Sequence, residues 1–255
     1  MRVGDGWKYL RAMPPQQLVV VGDAHLGAAP RGVEEAFLAF LDQVPSLGDS
    51  LLVNGDLFDF WFAYRRAIPR SGIRVLTRLA AVARRMPVWM TGGNHDRWGD
   101  SFWDAELGIR FGADQLRLPL GRGFVLAVHG DGVAEAHWTG RLVHRVTRHP
   151  VTTGTYRILH PDLGLWLVKR LSGRLADSTR DAEVLDRAAA LQREWARRRL
   201  AAATEVSLLV MGHTHRPALE EPFPGRRYLN PGAWCDGFRY AVATDRTADL
   251  REYRG

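Results

Sequence analysis

Three features of the 255-residue sequence predict an α/β fold. Short apolar runs alternate with segments of helical spacing, the order that builds a mainly parallel sheet with helices packed on it. Five of those runs end in aspartate, asparagine or histidine beside glycine. In an open α/β sheet, the carboxyl ends of the strands are where ligands bind. From residue 227 onward the pattern changes to short strand candidates separated by turns, which suits antiparallel additions to a second sheet.

Residues 17–22 (QLVVVG) read as the first strand and run into Asp23-Ala24-His25. A helix follows over 33–41, with Phe37, Phe40 and Leu41 on one face. A turn over 45–50 leads to the strand Leu51-Leu52-Val53, which ends in Asn54-Gly55-Asp56. The next helix, 73–85, turns Val75, Leu79 and Val82 inward and arginines outward. Strands at 87–90, 124–128 and 206–211 then end in Gly93-Asn94-His95-Asp96, His129-Gly130-Asp131 and Gly212-His213-Thr214-His215. In the tail, 227–229, 239–244 and 250–253 are strand candidates, and Asn230-Pro231-Gly232 is turn chemistry.

Between 131 and 205 the pattern changes to long helical segments rich in Arg, Leu and Trp. Ser178-Thr179-Arg180-Asp181 has capping-box spacing and opens a helix running to about residue 203. Leu163, Trp166, Leu167 and Leu171 form an apolar stripe on a shorter preceding segment. The expected organisation is a core of residues 1–130 and 206–255, with 131–205 inserted as a helical lid over the carboxyl edge of the sheet.

Composition is that of a globular protein, 46% hydrophobic and 25% charged. No apolar run reaches the roughly 18 residues of a spanning helix, and the first residues lack the apolar core of a secretory signal. Cys235 is the only cysteine, which excludes an internal disulfide and a cysteine-rich zinc site and fits a reducing cytosol. The net charge of +7 comes almost wholly from arginine, since Lys8 and Lys169 are the only lysines. That excess points to an anionic partner: a phosphorylated substrate, nucleic acid or an acidic membrane face.

Together the strand ends supply Asp23, His25, Asp56, Asn94, His129, His213 and His215, and five of the nine histidines lie there. Mixed oxygen and imidazole donors without thiolate suit Mn²⁺, Fe²⁺ or Zn²⁺ in a reactive rather than a structural site. A pair of such ions activates water and clamps phosphoryl oxygens, and needs a shared carboxylate, for which Asp56 is the candidate.

Asp23-x-His25, Gly55-Asp56-x-x-Asp59, Gly93-Asn94-His95-Asp96, His129-Gly130-Asp131 and Gly212-His213-x-His215 resemble, in order, the motifs of the calcineurin-like metallophosphoesterases. The resemblance implies a four-layer α/β/β/α sandwich with two divalent metal ions. Asp23, His25 and His215 would hold one ion, Asn94, His129 and His213 the other, and Asp56 would bridge them. His95 would contact the phosphate or protonate the leaving oxygen, oriented by Asp96; a histidine suits that role because it titrates near neutrality.

Within the superfamily, residues 55–61 (GDLFDFW), 23–27 (DAHLG) and 213–217 (HTHRP) resemble the UDP-2,3-diacylglucosamine diphosphatases of lipid A synthesis. These release UMP and an acylated sugar phosphate. The resemblance implies a cytoplasmic protein, peripheral to the inner membrane, whose lid holds acyl chains. Trp138, Leu142, Val146, Leu165, Trp166 and Leu171 are the candidates for those contacts, and Arg157 and Arg174 for substrate phosphate. Two departures stand out: His95 occupies the place of an arginine, and residues 132–137 replace an acidic segment followed by tyrosine. Phosphodiesterase action on cyclic nucleotides or other small phosphodiesters is the alternative favoured by His95. Nucleic acid is a third reading, against which stands the lack of an aromatic stacking pattern in the insertion.

Overall fold

The computed structural model describes residues 13–64, 66–133, 146–147, 149–175 and 182–255, without the side chains of 150, 167, 169 and 171–175. Two sheets lie face to face. In the first, β1 (Leu18–Val21), β2 (Ser50–Asn54), β3 (Val88–Thr91) and β4 (Arg110–Gly112) run parallel. β10 (Arg239–Ala243) pairs antiparallel with β1, and β11 (Ala248–Glu252) with β10, giving the order β11-β10-β1-β2-β3-β4. In the second sheet β6 (Gly123–Val128), β7 (Val206–Val210) and β9 (Arg226–Asn230) are parallel. β5 (Gln115–Leu120) and β8 (Ala218–Phe223) are its antiparallel edges, in the order β5-β6-β7-β9-β8.

Strand alternation divides the side chains into layers, because successive residues point to opposite faces. Leu18, Val20 and Leu52 meet Val125, Ala127, Leu208, Val210 and Leu229 between the sheets. Val19, Val21, Leu51 and Val53 face outward, onto Phe37, Phe40 and Leu41 of α1 (Arg31–Leu47) and Val75, Leu79 and Val82 of α2 (Ile73–Ala83). On the far side, Leu126, Val206, Leu209, Met211 and Tyr228 of the second sheet pack on Ala196 and Leu200 of the helix Ala182–Ala202. The result is the α/β/β/α sandwich.

The stretch grouped by sequence as one insertion therefore divides in its packing. α4 (Pro150–Ile158) and α5 (Pro161–Leu175) expose Val151, Ile158, Leu163 and Trp166, whereas the long helix, α6 (Ala182–Ala202), forms the outer layer of the core. Its expected capping box lies outside the described residues. Two other local differences have simple causes. α1 continues through Pro45 to Leu47 instead of turning there: Pro45 cannot donate its i→i−4 bond, and the helix ends shortly beyond it at Leu47. β5 and β8, absent from the sequence-based list of strands, carry Pro119 and Pro222 and lie at sheet edges, where proline is tolerated. α3 (Phe102–Leu107) is a further short helix.

Candidate metal centre

The loops that leave β1, β2, β3, β6 and β7 are stitched together at one edge of the sandwich. Ala24 and His25 donate their N–H groups to the Asp56 carbonyl at 2.9 and 3.0 Å. The His95 N–H reaches Asp56 Oδ1 at 2.9 Å, and the His213 N–H reaches the Asp23 carboxylate at 3.0 Å. Gly212 N–H donates to the His129 carbonyl across the β6–β7 boundary at 2.9 Å.

This close convergence bends the backbone. Asp23, His25, Asp56, His213 and His215 all sit in the left-handed region, with φ between 46° and 70°. For residues with a side chain each such conformation costs about 1–3 kcal/mol, and it collects at functional sites. Glycine is obligatory at two neighbouring points. A Cβ on Gly55 would lie 2.4 Å from His129 Nδ1, and one on Gly93 would lie 2.1 Å from Asp56 Oδ1.

The side chains converge as closely. His129 Nε2 stands 3.2 Å from Asp56 Oδ2 and 4.0 Å from Asp23 Oδ1. His215 Nε2 is 3.6 Å from Asp23 Oδ1, and His25 Nε2 is 3.9 Å from Asp56 Oδ2. Three of the rings are fixed through their other nitrogen. His129 Nδ1 meets the Asn54 carbonyl at 2.9 Å, His215 Nδ1 meets Asp236 at 2.6 Å, and His95 Nδ1 meets the Asp59 carbonyl. Such partners set the tautomer and aim Nε2 into the cradle.

A divalent pair fits these residues. His129 Nε2 and Asn94 Oδ1 are buried without a hydrogen-bond partner, although His129 is fully enclosed. Two donor groups around the shared Asp56, His25–Asp56–His95 and Asp56–His129–His213, each fall within 4.8 Å. Burial lowers the pKa of His25 to about 4, and burial with the neighbouring His129 does the same for His213, so both rings are neutral at neutral pH, as ligation requires. Burial alone would lower His129, but the Asp56 carboxylate outweighs it and holds the ring well above its ordinary value. Burial likewise opposes, and Asp56 with the Asp59 carbonyl favours, the charged form of His95, whose pKa is raised. For Asp56 the burial cost is overcome by His129 and His95, and its carboxyl stays well below the usual range.

Over residues 17–217 the chain matches the calcineurin-like phosphoesterases. It belongs to that family. Its members use divalent metals, and this calcineurin-like phosphoesterase is a hydrolase of phosphoester or pyrophosphate bonds. Curated relatives carry the name UDP-2,3-diacylglucosamine hydrolase. The Porphyromonas gingivalis protein is 26% identical over 248 residues, covering 89% of this chain and 93% of its own. The Bordetella parapertussis protein is 30% identical over 206 residues, covering 79% and 78%. A Shewanella protein (strain MR-4) is 24% identical over 234 residues, covering 91% and 95%.

The structure gathers Asp23, His25, Asp56, Asn94, His95, His129, His213 and His215 at this edge. One expected role changes. Asp96 does not orient the His95 ring: its oxygens accept the N–H groups of Asp56, Leu57 and Gly93 at 3.2, 2.7 and 2.8 Å, and the Asp59 carbonyl holds the imidazole instead. Asp96 is a clasp between two loops, and burial together with Asp56 raises its pKa to about 6.

The candidate substrate contacts lie on α4 and α5. Arg157 on α4 is ion-paired with Asp100, its guanidinium 5.8 Å from the Phe62 ring. Trp166 on α5 is 57% exposed, with the Arg170 guanidinium 5.8 Å from its ring. Arg174 lies on α5 with its side chain outside the described set, as does that of Leu171; Trp138 and Leu142 fall wholly outside it.

Four residues beside the candidate ligands were not assigned to the site from sequence. Asn54 bridges Thr91 Oγ1 and the Val128 carbonyl at 2.9 and 3.3 Å, tying the two sheets beneath the cradle. Gln192 of α6, fully buried, donates to the Gly130 and Gly212 carbonyls and accepts from Thr214 Oγ1. Asp236 and Cys235, on the loop between β9 and β10, lie beside His215. Asparagine inside an apolar strand and glutamine on a buried helix face are the weak signals available in retrospect.

Proposed function

We propose that this phosphoesterase hydrolyses the pyrophosphate of UDP-2,3-diacylglucosamine to UMP and 2,3-diacylglucosamine 1-phosphate. The observation that carries the reading is the gathering, from both sheets, of seven carboxylate, amide and imidazole donors beside His95. The names and coverage of the relatives supply the substrate class. Asp23, His25 and His215 would hold one divalent ion and Asn94, His129 and His213 the other, with Asp56 shared; Mn²⁺ is the working ion, and Fe²⁺ and Zn²⁺ also match the donors. The pair would supply activated water and charge neutralisation at the phosphoryl oxygens.

The chain's own residues do the rest. His95, whose charged form Asp56 and the Asp59 carbonyl favour against burial, presents Nε2–H as the donor to the phosphate or to the leaving oxygen. Asp96 holds the loops after β2 and β3 at fixed separation. Residues 146–175 act as a cap. Trp98 Nε1 donates to the Thr147 carbonyl at 3.1 Å, and Tyr156 sits 4.7 Å from Phe62 and 5.7 Å from Phe60, on the loops that follow His95 and Asp56. The exposed apolar side chains of α4 and α5 are the surface offered to acyl chains, with Arg157 and Arg174 on the same two helices as the cations proposed for substrate phosphate. Among the described residues no helix is long and apolar enough to cross a membrane. A lipid-linked substrate would bring the protein to the cytoplasmic face of the inner membrane as a peripheral visitor.

UMP release from UDP-2,3-diacylglucosamine with Mn²⁺ tests the proposal. No release across metals and detergents, with retained cleavage of bis-p-nitrophenyl phosphate, would overturn the substrate and leave the phosphoesterase. His95 in the usual arginine place favours a second reading, a phosphodiesterase for cyclic nucleotides, which acylated sugar phosphates would neither inhibit nor stabilise.

A further inference from the structure

The only cysteine of the chain lies against the cradle. Cys235 Sγ and one ring nitrogen each of His25 and His215 fall within 4.8 Å of one another. The thiol is held there from both sides. Trp234, fully buried, packs among Phe37, Phe40, Phe238 and Tyr253 and donates its N–H to the Gly22 carbonyl at 3.1 Å. Asp236, on the other side, is the carboxylate that orients His215. The Cys235 N–H itself donates to the Asp23 carbonyl at 3.2 Å, so its Cα rides on the backbone of a ligand residue. The cradle also aims His129 Nε2, fully enclosed and assigned to the second position, at the Asp56 carboxylate that His25 approaches from the first.

We infer that Cys235 is a sulfur donor to the ion held by His25 and His215, so that the two metal positions differ in softness. The inference rests on the two-metal reading above. Ligation exchanges the thiol proton for the cation: an S–metal bond forms, the S–H bond breaks, and the proton leaves to solvent. Thiolate favours Zn²⁺, Fe²⁺ and Co²⁺ over Mn²⁺, whereas the second position, built from Asn94, His129 and His213, has only oxygen and nitrogen donors. The centre would then accept a mixed pair, the softer ion beside Cys235.

The full-length protein, stripped by chelator and reloaded with Co²⁺, gives a direct readout. Visible d–d bands report that cobalt is bound at all, and a near-ultraviolet band reports charge transfer from sulfur to cobalt. The expected result is both sets in the wild type, with the near-ultraviolet band lost in Cys235→Ser and Cys235→Ala while the visible bands remain. The preference for Zn²⁺ over Mn²⁺ at the tighter site, measured by competition titration, should fall about tenfold in both variants, the size of effect common for residues that tune a metal site. Visible bands without sulfur charge transfer in the wild type would overturn the inference and leave the two-metal reading intact. Absence of visible bands would overturn both.

Discussion

The cradle and the cap are built on opposite plans. In the cradle several side chains are fixed by backbone groups, Asp96 by three N–H donors, Asp23 by that of His213, and the His95 and His129 rings by carbonyls, while Asp236 holds His215. In the cap the described contacts are few and peripheral, namely the Trp98–Thr147 hydrogen bond, the Arg157–Asp100 ion pair and rings around Tyr156. α4 and α5 meanwhile leave Ile158 87% and Trp166 57% exposed. A site that must hold charges in one geometry for in-line displacement gains from preorganisation. A surface proposed to receive flexible apolar chains would gain from area and adaptability instead.

Substitutions can break that contrast. The largest effect belongs to Asp56→Ala, which removes the shared carboxylate: cleavage of bis-p-nitrophenyl phosphate should fall on the order of 10³-fold, with metal content reduced in elemental analysis. His95→Ala should lose at least about 10²-fold in turnover while keeping its metals, the pattern of a lost acid rather than a lost ligand. Equal activity in that variant would remove His95 from the chemistry.

Gln192→Leu asks whether the outer helix belongs to the cradle. Its amide serves the loops of both His129 and His213, so Mn²⁺ affinity should weaken about tenfold. Stability should fall by about 1–3 kcal/mol in denaturant titration, because buried carbonyls lose a donor. Asp100→Ala probes the cap: stability should change by less than about 1 kcal/mol, since the pair with Arg157 is partly exposed. The KM for an acylated substrate should rise, whereas that for bis-p-nitrophenyl phosphate should not.

pH offers a gentler test on the metal-free protein. The hydrogen bond from His215 lowers the pKa of Asp236 below 3.8, a contribution present above that value and lost as pH falls through the folded one. His215 is raised above 6.5 despite burial, chiefly by Asp236, a contribution complete below 6.5 and lost as pH rises through the folded pKa. This pair therefore contributes most to apo-protein Tm between these limits, and Asp236→Asn should lower Tm most in that window. Metal affinity should follow the reverse slope, rising with pH, because His129 and His215 must give up protons to bind.

The candidate ligands were legible as a set because a strand end that must turn sharply leaves a local signature: apolar run, glycine, then a polar side chain. Gly55-Asp56 and Gly212-His213 show it plainly. The supporting residues were not legible because their partners are backbone atoms brought close only by folding. Nothing in the sequence around Gln192 distinguishes it from other polar positions on an arginine-rich helix. Asp96 shows the same limit from the other side, since its place in the motif was clear but its hydrogen bonds were not. For α6 the helix itself was readable from spacing, whereas the sheet it covers depends on where the chain re-enters the core at β7.

Each proposed ion draws ligands from both sheets, Asp23 and His25 with His215 on one side, Asn94 with His129 and His213 on the other. The gap between those loops is set by the apolar layer beneath them, where Leu18, Val20, Leu52 and Trp89 meet Val125, Leu208 and Val210. That layer is thus a gauge block for the reaction: trimming one of its methyl groups, far from any phosphate, should alter the magnetic coupling between two bound Mn²⁺ ions before it alters the fold.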